Sequence, residues 1–355
     1  MDQLVKFGAN IYRIANSTTF AVWHGFSTMA SNNKSPRLMK KIGTHSGVFH
    51  CDEALACFML KQLPDYSDAE IIRTRDPKIL EECDIVVDVG GEYDPKHNRF
   101  DHHQRGFKET FHSVQPELSK DKYDNIVLSS AGLVYAHFGL DIITRVLAKK
   151  NLIGTSESIK GVFLHVYDNL IEEIDAIDNG VPMCTEGTTR YQIHTHLSRR
   201  VNRLNPAWND TNSNNIDELF QKAVALVGSE FEDCVYQSFL VWWPAREIVK
   251  KSIEGRKLVD DSGKIMQLIE RCAWKEHFFS LEEDMDIKGQ IQFCIFSDES
   301  DNSWRVQGIP IHPESFICRT FLHEDWRGVR DEVLSNRTKE GAIEMAKRSL
   351  EATKQ

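Results

Sequence analysis

Asp101, His102 and His103 stand on consecutive residues, shortly after the run Ile85-Val86-Val87 that leads into Asp88-Val89-Gly90-Gly91. A β-branched apolar run ending in a carboxylate and two glycines predicts a buried strand with Asp88 at its carboxyl edge. Open α/β sheets bind ligands at that edge. A second group lies upstream, where His45, His50 and Asp52 fall within residues 41–52. The ordinary reading of adjacent histidines is partial surface exposure, and acids at a helix start usually cap it. Capping is the expectation for Glu53. For Asp52 a ligand role is expected, because two strand-to-loop edges each supply carboxylate and imidazole groups without a thiolate at metal spacing. Oxygen and nitrogen donors suit manganese or magnesium better than a structural zinc. Two such ions sharing a carboxylate would activate a water and hold the attacking and leaving oxygens of a phosphoester.

These residues need a scaffold. Ala54, Leu55, Phe58 and Met59 recur at helical spacing after Asp52, residues 70–73 read as a short strand, and Asp76-Pro77 turns the chain into the central strand. Strand, helix, strand, helix and strand in this order predict a parallel sheet with right-handed crossovers. A loop covers residues 107–123, and a helix capped by Ser129 or Ser130 runs to Lys149 or Lys150 with Leu133, Val134, Phe138, Ile142 and Val146 on one face. His137, in that helix, reads as packed or solvent-facing. The acidic helix at residues 172–180 puts Asp175 and Asp178 three apart and so on one face.

The surrounding strings are specific. Residues 49–57 (Phe-His-Cys-Asp-Glu-Ala-Leu-Ala-Cys), 73–77 (Arg-Thr-Arg-Asp-Pro), 88–95 (Asp-Val-Gly-Gly-Glu-Tyr-Asp-Pro) and 101–105 (Asp-His-His-Gln-Arg) resemble the melanocyte proliferating gene one family. That family is described as metal-dependent 3′–5′ RNA exonucleases. The Asp-His-His signature resembles the wider DHH phosphoesterase superfamily, and the similarity continues through most of the remaining chain. The resemblance implies a set of metal ligands at His45, His50, Asp52, Asp88, His102 and Asp175, with Asp178 in reserve for the last. His50 stands where many superfamily members have an aspartate, which lowers the negative charge of the site and shifts metal preference toward borderline ions. His103, with Asp101 beside it, would face the substrate phosphate or act as acid for the leaving oxygen.

Composition bounds the alternatives. The chain has 355 residues and a formal net charge of −10, which argues against coating nucleic acid by bulk attraction but leaves room for a local basic groove. Arg190, Arg199, Arg200 and Arg203 cluster beside Tyr191 and are the best candidates for phosphate binding, unless they form a basic helix face paired with nearby acids. His194 and His196 alternate like a metal pair but lack a third ligand nearby, so surface or substrate roles are expected. Eight cysteines without a Cys-x-x-Cys pair argue against a disulfide framework. No stretch reads as long and apolar enough to span a membrane. Residues 1–38 read as a targeting segment or a disordered tail, and a form starting at Met29 would lack it. The resemblance implies mitochondrion and nucleus, with the shorter form nuclear or cytoplasmic.

The predicted fold class is α/β: a DHH-type parallel-sheet catalytic domain over residues 39–205, then a smaller α+β domain with antiparallel strands over residues 206–355. Strand candidates in the second domain lie at residues 265–269, 291–296 and 303–307. Core packing is the expected fate of Trp242 and Trp243, although stacking of a base beside Arg246 is an alternative. Lys275 and Arg327 lie in strings the family shares and are candidate substrate contacts. A glycine-rich tract that the family carries before its last helix is missing between Leu334 and Asn336, so a chain that binds manganese but grips long RNA poorly is expected. The functional expectation is a 3′–5′ RNA exonuclease using two Mn2+ ions, or Mg2+, with RNA or another phosphodiester as partner and no specific protein partner inferable. A small-molecule phosphatase or pyrophosphatase on the same site, or a non-catalytic scaffold, are the alternatives.

Overall fold

The computed structural model describes residues 39–184, 187, 189–209, 215–298, 302–327 and 335–353. The segment read as targeting sequence or tail, with Met29, lies outside the described residues. So do residues 328–334, next to the position where a glycine-rich tract was expected to be missing.

Strands β1 (Lys41–Thr44), β2 (Glu70–Arg73), β3 (Ile85–Val87) and β5 (Arg99–Phe100) pair in parallel in the order β2-β1-β3-β5, and β4 (Tyr93–Asp94) closes the edge antiparallel to β5. Helices α1 (Cys51–Leu60) and α2 (Pro77–Glu81) make the crossovers, as the order of patterns predicted. Asp76 caps α2 by accepting from the Lys78 amide at 2.9 Å, with Pro77 preset for the first turn. The β1 and β3 ends carrying His45 and Asp88 are neighbours because Gly43 pairs with Val86.

Two short helices, α3 (Phe111–Val114) and α4 (Lys120–Tyr123), interrupt the segment predicted to be a loop. Next come α5 (Ser130–Lys149), α6 (Ser156–Val166) and α7 (Glu172–Asp178), the last two joined by a π-helical turn at Tyr167–Ile171. Ser129 caps α5, accepting from the Gly132 amide. By length and composition α5 could cross a membrane, which no stretch was expected to do. Its apolar residues, among them Leu133, Val134, Ile142 and Val146, are buried in the core.

After the short α8 (Leu197–Asn202), α9 (Ile216–Gln237) packs on α1 and α5, and its Phe220, Val227 and Phe231 belong to the core beneath the first sheet. That core therefore continues past residue 206. Helix α1, which the sequence reads as having one apolar face, is enclosed on several sides and leaves only Phe58 half-exposed. Gly228 of α9 sits where a Cβ would overlap the Phe58 ring, so close approach of the two helices depends on it. Gly228→Val is expected to lower stability by about 2–3 kcal/mol through overpacking. Urea unfolding checks this, and an unchanged midpoint would show that the helices separate without loss.

A second π-helical turn at Ser238–Trp242 leads from α9 into α10 (Trp243–Glu254), followed by α11 (Arg256–Val259) and α12 (Lys275–Asp284). Strands β6 (Ile265–Gln267), β7 (Phe293–Asp298), β8 (Ser303–Gly308) and β9 (Ser335–Asn336) form the second sheet in that order, with β6-β7 parallel and the other pairs antiparallel. Alternation along β7 sends Phe293 and Ile295 to a cluster with Ala342 and Ala346 of α13 (Lys339–Ala352). Cys294 points instead to a cluster with Val249 and Phe278. This sheet is buried on both faces. The described fold is thus α/β with a parallel core and a smaller sheet carrying antiparallel strands. All eight cysteines are free.

Candidate metal centre

Asp88 ends β3 with a positive φ of 58°, a left-handed conformation that aspartate tolerates better than most residues. The Asp88 side chain is buried. Asp88 Oδ2 lies 3.2 Å from His45 Nε2, while Oδ1 lies 3.4 Å from both His102 Nε2 and His103 Nδ1. The Ser130 hydroxyl donates to Oδ1 at 3.3 Å. His45 Nε2 is also 2.9 Å from Glu53 Oε1, and His102 Nε2 is 3.1 Å from Asp178 Oδ2.

Glu53 does what capping predicted, since its carboxylate accepts from the His50 amide at 2.8 and 3.0 Å. It also touches His45, which spacing along a helix could not reveal. His50 itself caps α1 from an exposed position, its ring 5.7 Å from that of His45. Among the described residues three groups of potential ligands result, each with ligand atoms within 4.8 Å of one another: His45, His50, Glu53 and Asp88; Asp88, His102 and His103; and Asp52, His102 and Asp178. Asp88 is common to the first two groups and His102 to the last two.

Asp52 tests the fit of a cation. Its side chain is buried, and neither carboxylate oxygen has a hydrogen-bond partner. Burial with unpaired oxygens is costly unless something positive sits against them. The donors around it are carboxylates and imidazoles, and the nearby Cys51 thiol is pushed by burial up to about 12, away from a metal-binding thiolate. The residues present suit a hard or borderline divalent cation.

Electrostatics in the metal-free protein follow from these contacts. Burial works against a charged His45, but Asp88 and Glu53 outweigh it and raise its pKa to about 10. His102 is likewise raised to about 10, with Asp178 and Asp88 overcoming its burial. Burial, together with the charges of Asp88 and Asp178, pushes Asp52 well above the carboxylate range. Asp88 is held far below that range by His102 and His45 despite its burial. Asp101 accepts from the Gly91 amide at 2.5 Å and lies 2.7 Å from His103 Nδ1, which raises His103.

Asp175 is brought close but not into these groups. Its Oδ1 accepts from the Ser129 amide at 2.9 Å and hydroxyl at 2.6 Å, Oδ2 is unpartnered, and burial raises its pKa to about 7. Gly132 leaves room for this carboxylate, since a Cβ there would overlap it. The acid of α7 in contact with His102 is Asp178, one turn further along that helix.

A cavity of about 480 Å³ opens beside the cluster, its lining including Asp88, His103, Asp178, His196, Arg199 and Asn202. Of the four arginines in the predicted basic cluster, Arg199 alone lines it. Arg200 pairs with Glu230 at 2.9 Å, Arg203 donates to the His194 carbonyl at 3.0 Å, and Arg190 is exposed beside Tyr191. His196 caps α8, its side chain accepting from the Arg199 amide. Trp243 packs against the first core, and Trp242 stacks on His165 with centroids 3.9 Å apart and donates to Glu276. Arg246 pairs with Asp284, and Arg327 lies over Phe321. Lys275 begins α12.

The family model described as an uncharacterised protein family (UPF0160) and labelled MYG1_exonuc matches residues 41–343, which span both sheets and every residue of the cluster. The chain belongs to the MYG1 family. It is 45% identical over 335 residues to the MYG1 exonuclease of Bos taurus, covering 87% of this chain and 84% of that protein. The MYG1 exonuclease of Homo sapiens is 44% identical over 333 residues, covering 87% and 85% respectively. An MYG1 protein of Caenorhabditis elegans is 46% identical over 334 residues, covering 87% of this chain and 95% of that one. No solved structure matches the chain.

Proposed function

We propose that this MYG1-family chain is a metal-dependent phosphodiesterase of the DHH type that removes nucleotides from the 3′ end of RNA, using two Mn2+ ions or Mg2+. The reading is carried by Asp52, whose two buried, unpartnered oxygens sit with His102 and Asp178 beside a cavity that Arg199 lines. Relatives named exonuclease support it. His45, His50, Asp52, Asp88, His102 and Asp178 would hold the cations, with Asp178 in the role the resemblance gave to Asp175. Asp175 then braces the start of α5 through Ser129.

Bound divalent cations would supply Lewis acidity toward water and the phosphate oxygens. The chain's own groups do the rest. Arg199 receives the negative charge of the phosphodiester, and Asn202 and His196 border the same space. As a water oxygen bonds to phosphorus and gives up one proton to solvent, the bond from phosphorus to the 3′ oxygen of the preceding nucleotide breaks. His103, whose pKa Asp101 raises, gives that oxygen its proton. The products are a nucleoside 5′-monophosphate and a chain one nucleotide shorter.

The test pairs a 5′-labelled linear RNA with a circular RNA of the same sequence, in Mn2+. Stepwise shortening of the linear strand with an intact circle is expected. Cutting of the circle would overturn an end-directed reading, and turnover of pyrophosphate alone would move the site to small substrates. Within the same assay, Arg199→Ala is expected to weaken RNA binding and reduce its salt slope by about one unit. Arg200→Ala, whose guanidinium is already paired with Glu230, should leave the slope close to that of the unaltered chain. Equal effects of the two substitutions would show that general charge, and not the cavity wall, grips the strand.

A further inference from the structure

Asn179 closes α7 directly after Asp178. Its side-chain amide nitrogen donates to two backbone carbonyls, those of Val127 at 2.8 Å and Asp175 at 2.9 Å. With both amide hydrogens used on acceptors, the orientation of the group is decided. The atom facing His102 Nδ1, at 3.3 Å, is the amide oxygen.

An amide oxygen only accepts, so Nδ1 of His102 must carry a hydrogen. In the neutral ring the lone pair is then on Nε2, which looks toward Asp88 and Asp178 and belongs to the same group as Asp52. The opposite tautomer would set lone pair against lone pair at Asn179 and a hydrogen toward the ligand group. The Nδ1 atoms of two other rings of the ligand groups, the buried His45 and the exposed His103, have different company. That of His45 lies between the Ser46 carbonyl at 3.3 Å and the Arg75 guanidinium at 3.2 Å, and that of His103 faces Asp101 at 2.7 Å. Of these three rings only His102 is served by a side-chain amide, an acceptor that adds no charge to an already acidic site.

We infer that Asn179 is a positioning residue that holds His102 in the Nδ1–H tautomer and aims its Nε2 at the metal centre. This rests on the metal-centre reading above. Its position immediately after Asp178 ties two ligand candidates, His102 and Asp178, to one helix end. The two backbone carbonyls keep the amide from rotating when the ring moves.

The experiment is a calorimetric Mn2+ titration of the full chain, of Asn179→Leu and of Asn179→Asp, with thermal unfolding of each metal-free protein alongside. Leucine removes both the acceptor and the donors; aspartate keeps an oxygen facing His102 but loses both donors to backbone. Affinity is expected to fall about 10–100-fold in Asn179→Leu, the range for losing a hydrogen-bond partner of a metal-bound histidine. Asn179→Asp is expected to bind at least as tightly as the unaltered chain, although both variants melt earlier. Nitrogen-15 correlation of the Zn2+-loaded proteins should show His102 with hydrogen on Nδ1 in the unaltered chain and in Asn179→Asp. In Asn179→Leu the signal should change. Equal losses in the two variants, or an unchanged His102 signal in Asn179→Leu, would mean that Asn179 only anchors the helix end. Absence of Mn2+ binding by the unaltered chain would instead overturn the metal-centre reading, and this inference with it.

Discussion

Asp88→Ala is expected to lower Mn2+ affinity and metal-dependent hydrolysis by more than about 100-fold, because Asp88 belongs to two of the three ligand groups. Loss of a mere hydrogen-bonding neighbour of a ligand already costs about 10–100-fold. The effect on the metal-free fold has the opposite sign from what a bare cluster of acids suggests. In such a cluster, removing one carboxylate relieves repulsion and stabilises. Here Asp88 is flanked by His45, His102 and His103 and accepts from Ser130, so its removal leaves the buried, raised His45 and His102 rings short of a partner. A destabilisation of about 2–3 kcal/mol at neutral pH is expected, somewhat less than for a permanently charged buried pair because the rings can shed protons. Chemical denaturation in a chelator checks the fold, and calorimetry checks the metal. A variant that keeps full Mn2+ affinity would remove Asp88 from the ligand set.

Metal loading is expected to release at least two protons near neutral pH. His45 and His102, raised to about 10, both carry a proton in the metal-free protein, and a ring binds a cation only through a free lone pair. Burial also favours the protonated form of Asp52. Each displaced proton steepens affinity by about tenfold per pH unit, so two give about a hundredfold per unit over the range below 10. Stability is linked to the same protons. A histidine raised from 6.5 to about 10 by folding contributes stability that is fully present below 6.5 and is lost as pH rises through about 10. Asp88, lowered by folding, contributes stability above the ordinary carboxylate pKa that is lost in acid. The metal-free protein is therefore expected to lose stability from pH 6.5 upward while the Mn2+-loaded protein is protected, so the gap between their melting temperatures widens with pH. Mn2+ titrations in buffers of different ionisation enthalpy count the protons directly. Identical enthalpies in all buffers would mean the rings enter the site already neutral.

Much of the scaffold was readable in residue order. The β-branched run before Asp88, the proline after Asp76 and the serine at 129 are local signals, and each acts through its own backbone geometry or hydrogen bond. The strand edges bearing His45 and Asp88 follow from alternating patterns, because parallel pairing through short crossovers leaves few arrangements. Other features depend on partners distant in the chain. Helix α1 is enclosed because α9, more than 150 residues later, returns to cover it. No period within α1 can announce that.

The acid of α7 shows the same division at the scale of one side chain. Asp175 and Asp178 share a helix face, so spacing leaves both as candidates. The π-helical turn at Tyr167–Ile171 adds a residue to one turn and rotates α7 by about 100° relative to α6. After that rotation Asp175 meets the Ser129 cap, and Asp178 meets His102. Residue type and order alone determined that carboxylates and imidazoles would gather at the ends of β1 and β3. Which acid touches which ring, why Glu53 joins them, and why Arg199 faces the cavity while Arg200 pairs with Glu230 were decided only by tertiary packing, because those contacts are set by the relative placement of α1, α7, α8 and α9. Side-chain direction is a local property. The identity of the atom it meets is not.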